Sequence, residues 1–126
     1  MTNQIGHVMD FMTTFILLAN TRYPATYNGH TIKPTQGISL LPILKDEQRA
    51  GHEALFNEHY GARYARYEGW KLVARNKEPW HLYHIEDDET EMNNLADQYP
   101  EKVHQLDSMW NDWEMRNNVL PKRSTK

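Results

Sequence analysis

No cysteine occurs among the 126 residues, so neither disulfides nor thiol chemistry contribute, and the redox compartment stays open. Long apolar runs are missing too: none reaches the ~20 residues needed to span a bilayer. Met1 to Leu18 lacks the basic start and small-residue cleavage site of a signal peptide. Neither sign of charge dominates, with 14 Lys and Arg against 17 Asp and Glu. That balance leaves no electrostatic footprint for nucleic acid or an anionic membrane. There is no internal repeat, no low-complexity tract, no glycine-rich phosphate loop and no nucleophile motif.

What is present is a modest apolar fraction, 39%, with 11% aromatic residues. At this length the chain is one domain or a piece of one. Its clearest stretch is Gly61 to Arg75, G-A-R-Y-A-R-Y-E-G-W-K-L-V-A-R. A turn at Glu68-Gly69 pairs Tyr67 with Trp70, Ala65 with Leu72 and Arg63 with Ala74 on one face, because side chains alternate along a strand. That face is the greasier one and is expected to meet the core. Glu resists positive φ, so a bulged turn with Gly69 left-handed is expected. Trp80 to Ile85 alternates again and reads as a further strand, as does Glu53 to His59.

Gly6 to Ala19 reads as a helix ended by Asn20, apolar around most of its surface. Such a helix needs burial on most sides, which one small sheet does not supply. It is expected to pack on protein outside this sequence, or copies of the chain associate through it as a homo-oligomer. Arg22 to Gly37 reads as a loop, and Leu40 to Lys45 as a short helix N-capped by Ser39 with Pro42 in its first turn. Met92 to Ala96 reads as one helical turn. Pro100 opens a long amphipathic helix in which Val103, Leu106, Met109, Trp110 and Trp113 recur at three- and four-residue steps. Pro121 ends any continuation. The fold class expected is α+β: a small antiparallel sheet of about four strands, a long C-terminal helix packed on it, and an apolar N-terminal helix before it.

His52-Glu53 and Glu58-His59 lack the H-E-x-x-H spacing of a helical metal site. His81 and His84, three apart, fall on opposite faces of a strand. The acidic turn Glu86 to Glu91 lacks the glycine-centred pattern of a calcium loop. Arg63 and Arg66 either hold an anion through their guanidinium forks or are exposed strand residues bridged to that acidic turn.

Five segments in order resemble the carboxyl-terminal part of the arylsulfatase family. Gly6 to Asn20 is similar to its H-x-x-D-x-x-P-T-x-L-x-L-A-G helix, and Tyr23-Pro24 with Asn28-Gly29 to the loop after it. Ile32 to Lys45 resembles its G-x-S-L-L-P-x-L segment. Gly61 to Val73 resembles its G-N-R-A-V-R-x-G-D-W-K-L-V hairpin, and Trp80 to Ala96 its W-E-L-Y-D-L-x-x-D-x-x-E-x-N-N-L-A stretch. Thr13 stands for the family's proline, Asn20 for its glycine and Ala62 for its asparagine. Glu68-Gly69 stands where Gly-Asp is usual, and His81 and His84 where acids are common.

The resemblance implies a sulfuric ester hydrolase whose formylglycine segment, C/S-x-P-S-R, is not in this sequence, nor are its calcium ligands. Residues 1–22 would belong to the edge of a missing N-terminal α/β domain, 23–52 would be a loop with a short helix, 53–121 the C-terminal subdomain, and 122–126 a disordered tail. The chain would complete the parent's substrate pocket, with His59 and Arg63 as the substrate-binding positions. It would have no metal or cofactor of its own, while the parent, periplasmic or secreted, would use calcium and formylglycine. The alternative is a free-standing module of the same fold that binds an anion or a sulfated ligand.

Overall fold

The computed structural model describes residues 2–119, and the tail expected at 122–126 and the role of Pro121 lie outside them. The chain divides into two compact units, one ending at His52 and one beginning at Glu53.

In the first unit, α1 (Asp10–Leu18) is shorter than its apolar run, starting after a turn at Val8 and Met9. Asn20, left-handed at φ 48°, follows its end, as expected of a small polar residue there. The stretch read as a loop contains a small hairpin, β1 (Thr26–Tyr27) with β2 (His30–Thr31), turned by Asn28-Gly29 with both residues at positive φ. Helix α2 (Leu41–Leu44) is a single turn with Pro42 at its start. Its N-cap is Leu40, without a side-chain cap. Ser39 sits one residue earlier, where its Oγ accepts from the Leu41 N–H at 3.1 Å.

The second unit is an antiparallel sheet in the order β3-β4-β5-β6: β3 (Ala54–His59), β4 (Ala62–Tyr67), β5 (Trp70–Ala74) and β6 (His81–His84). The register between β4 and β5 is the one the alternation requires, with Tyr67 opposite Trp70, Ala65 opposite Leu72 and Arg63 opposite Ala74. The turn carries no bulge, because Glu68 itself accepts φ 47° beside Gly69 at 76°. Helix α3 (Pro100–Asn117) packs across the Ala65–Leu72 face, burying Leu106 and Trp110 against Ala65, Leu72 and Leu82. Phe56, from the same face of β3, stacks on Trp113. Asn118, left-handed at φ 51°, ends α3.

Both sheet edges are occupied. The Trp110 indole N–H donates to the Asn57 carbonyl of β3 at 3.1 Å. On β6, the Leu82 N–H donates to Asn94 Oδ1 and its carbonyl accepts from the Leu95 N–H. That pairing explains why 92–96 is not the helical turn expected: Asn94 and Leu95 are tied to the edge strand β6 instead. The class is α+β, as read.

Candidate functional site

Helix α1 is built inside out. Its two buried residues are polar, Asp10 and Thr14, while Val8 just before it and Phe11, Met12, Phe15 and Leu18 within it are each more than half exposed. The polar side has work to do. Asp10 Oδ2 accepts from the His7 backbone N–H at 2.9 Å and from Arg49 Nη2 at 3.1 Å. Its Oδ1 accepts from the Ile38 N–H at 2.8 Å and meets His52 Nε2 at 2.7 Å. The Arg49 and His52 side chains are almost fully buried. Arg49 also donates to the carbonyls of Ile5, Ile38 and Ser39. Thr14 Oγ donates to the Asp10 carbonyl and accepts from the Leu40 N–H, and Thr13, in place of a proline, donates to the Gly37 carbonyl.

One carboxylate thus ties the segment before α1 to residues 37–40 and 49–52. Gly37 makes the close approach possible: a Cβ there would lie 2.2 Å from the Met9 carbonyl oxygen, a distance no side chain tolerates. Gly37→Ala is therefore expected to pull residues 37–40 off α1, read as lost amide-exchange protection at Ile38 and Leu40. Retained protection at both would contradict this.

Burial alone would raise the Asp10 carboxyl. The N–H bonds from Ile38 and His7, with His52 and Arg49, outweigh it and bring it down to about 2. A folded-state value below the unfolded one contributes stability that is present above about 3.8 and lost as pH falls through about 2. Acid titration of the first unit should show that loss between those values in the native chain and not in Asp10→Asn.

In the second unit, the two residues singled out for substrate do not converge. His59 is exposed at the end of β3, opposite Ala62, while Arg63 is opposite Glu58. Alternation puts them on opposite faces of the sheet. The turn between them is Tyr60-Gly61, both at positive φ, with Glu58 Oε1 accepting from the Gly61 N–H at 2.6 Å. Tyr60 is 87% exposed and meets the His59 ring edge-on at 4.6 Å.

Arg63 lies on the helix side. Its guanidinium carbon is 4.2 Å from the Trp80 ring centroid and 5.6 Å from that of Trp110. Trp80 is fixed in turn by its indole N–H to Asp107 at 2.9 Å. On the other face, Lys71 pairs with Glu91 of the acidic turn, so the lysine and not Arg66 makes the bridge to that turn. Asp88 accepts from the N–H groups of Met92 and Asn93, which holds its carboxyl below the usual range. His81 and His84 face opposite ways, with His84 against Trp70. Among the described residues no group of three or more His, Cys, Asp or Glu is placed to hold a metal ion. No helix there is long and apolar enough to cross a membrane.

The second unit is thus a small antiparallel sheet under one helix, and the first carries a helix whose apolar side is exposed. No family model matches the chain. An uncharacterized sulfatase of Schizosaccharomyces pombe is 26% identical over 125 residues, spanning 90% of this chain and 22% of that protein. A protein designated BT33336S-sulf, from work on the metabolism of multiple glycosaminoglycans by Bacteroides thetaiotaomicron, superposes with a TM-score of 0.64 at 17% identity, over 84% of this chain and 24% of that one. Another, solved with its substrate D-glucosamine-2-N,6-O-disulfate, gives 0.63 at 20% identity, over 93% and 25%. The chain spans between 22% and 25% of the length of these proteins. The likeness read from the five motifs, to the C-terminal subdomain of the arylsulfatase family, is borne out.

The Asp10 cluster escaped the sequence reading. His7 and Asp10 stand in one motif, but Arg49 and His52 lie beyond it, within the stretch 23–52 expected to be a loop with a short helix. A buried aspartate in the middle of an apolar run was the signal available.

Proposed function

We propose that this chain is the C-terminal part of an arylsulfatase-type sulfuric ester hydrolase, which stabilises the enzyme and completes its substrate pocket without a catalytic core of its own. The observation that carries this is the inside-out helix. A helix that spends its polar side on internal hydrogen bonds and offers Val8, Phe11, Met12, Phe15 and Leu18 outward is built to be covered. The partner is the N-terminal α/β domain that the much longer relatives have room for. Formylglycine and calcium would be supplied by that domain, since the C/S-x-P-S-R segment is not in this sequence. The contacts to substrate from this side would come from His59 at the hairpin tip and from Arg63.

Purified chain supplied with calcium and an aryl sulfate should give no turnover above buffer; hydrolysis by the chain alone would refute the reading. In the absence of its partner domain the uncovered helix should drive self-association, visible as a mass above the monomer by light scattering. A clean monomer at high concentration would count against the helix as a docking surface.

A further inference from the structure

Among the described residues Arg63 has no anionic partner. Among the described residues no carboxylate comes within ion-pair distance of it, and no hydrogen bond is made by any of its nitrogens. The two nearby candidates are engaged elsewhere. Glu58, directly across the sheet, turns its carboxylate to the Gly61 N–H, and Asp107 holds the Trp80 indole. The Nε of Arg63 is buried and has no hydrogen-bond partner. Its guanidinium carbon lies against the Trp80 and Trp110 rings. Packing against two indoles restricts the side chain, so less of its freedom remains to be lost on binding. A planar fork of N–H donors matches two oxygens of a sulfate or a carboxylate.

We infer that Arg63, held against Trp80, is the seat for an oxyanion on the helix-covered side of the sheet, taking a sulfate or carboxylate group of an acidic ligand. This deepens the assignment of Arg63 as a substrate contact but stands without the parent enzyme. A ligand that reaches Arg63 does so on the face opposite His59, so the two residues grip different parts of a ligand, or one of them grips none.

The test uses the whole chain, isotope-labelled, titrated with sodium sulfate at constant ionic strength against sodium chloride. The chain has four Trp indole N–H groups as reporters. Sulfate should shift the Trp80 signal saturably, with half-saturation at roughly 10–100 mM, the range expected for one bidentate charge-assisted contact open to water. Trp70 and Trp113 should stay still. Arg63→Gln should abolish the shift, Arg63→Lys should weaken it about tenfold because a point charge lacks the fork, and Arg75→Gln should leave it intact. An acetate arm reads whether carboxylates share the seat. A silent Trp80, equal movement of all four signals, or a shift surviving in a folded Arg63→Gln chain would overturn the inference. Those outcomes bear on the Arg63 contact alone; whether the chain stabilises and completes the enzyme is tested separately, by reconstitution with the N-terminal domain.

Discussion

Asp10→Asn should unfold or loosen the first unit while leaving the second intact. The substitution keeps the shape and removes the charge, leaving Arg49 buried without its counter-ion and His52 and two backbone N–H groups sharing one oxygen where they had two. Breaking a buried pair by removing one partner costs about 3–5 kcal/mol, because the charge left behind has nowhere to go. That is a large fraction of the stability of any small domain. The loss should be confined to Gln4–Asp10 and to residues 37–52. It would be read by amide exchange, with Leu72 and Leu106 in the second unit unchanged. A loss below about 1 kcal/mol would mean the cluster is wetter than its geometry indicates.

The second large effect is on association and leaves the fold alone. Phe11 and Phe15 stack on each other, ring centroids 6.4 Å apart, and both are more than half exposed. Converting both to Glu removes nothing from the core of the isolated chain, so its melting behaviour should hardly change. Burial of each large apolar side chain is worth roughly 1.5–3 kcal/mol. Removing two of them and adding two charges to an apolar contact should weaken docking by more than about a thousandfold, since 1.4 kcal/mol is a factor of ten. Sedimentation of the double variant, with and without an N-terminal sulfatase domain, should show monomer in both. Undiminished association would place the interface elsewhere.

Much of the second unit could be read in advance because its determinants are local. The alternation from Ala62 to Ala74 fixes which residues share a face, and steps of three and four from Val103 to Trp113 fix the side of α3 that packs. Two errors there share a cause. The Glu68 backbone and the Asn94–Leu95 segment are set by partners across the sheet that override local preference. The first unit was legible mainly as a misfit, an apolar helix without a core. What holds it is long-range: Asp10 meets Ile38, Arg49 and His52 across 28 to 42 residues of sequence, and no periodicity reports such a meeting. His59 and Arg63 were paired on the resemblance alone, which carries no register, and the strand pairing puts them on opposite faces.

The most direct measurement is reconstitution. A sulfatase truncated before the segment that matches this chain should be co-expressed with the chain and assayed on its own sulfate ester with calcium. The account predicts a stoichiometric complex and recovery of hydrolysis that the truncated enzyme lacks, lost again with the Phe11→Glu, Phe15→Glu chain. A chain that stays apart from the truncated enzyme and restores nothing, or one that hydrolyses the ester unaided, would contradict it.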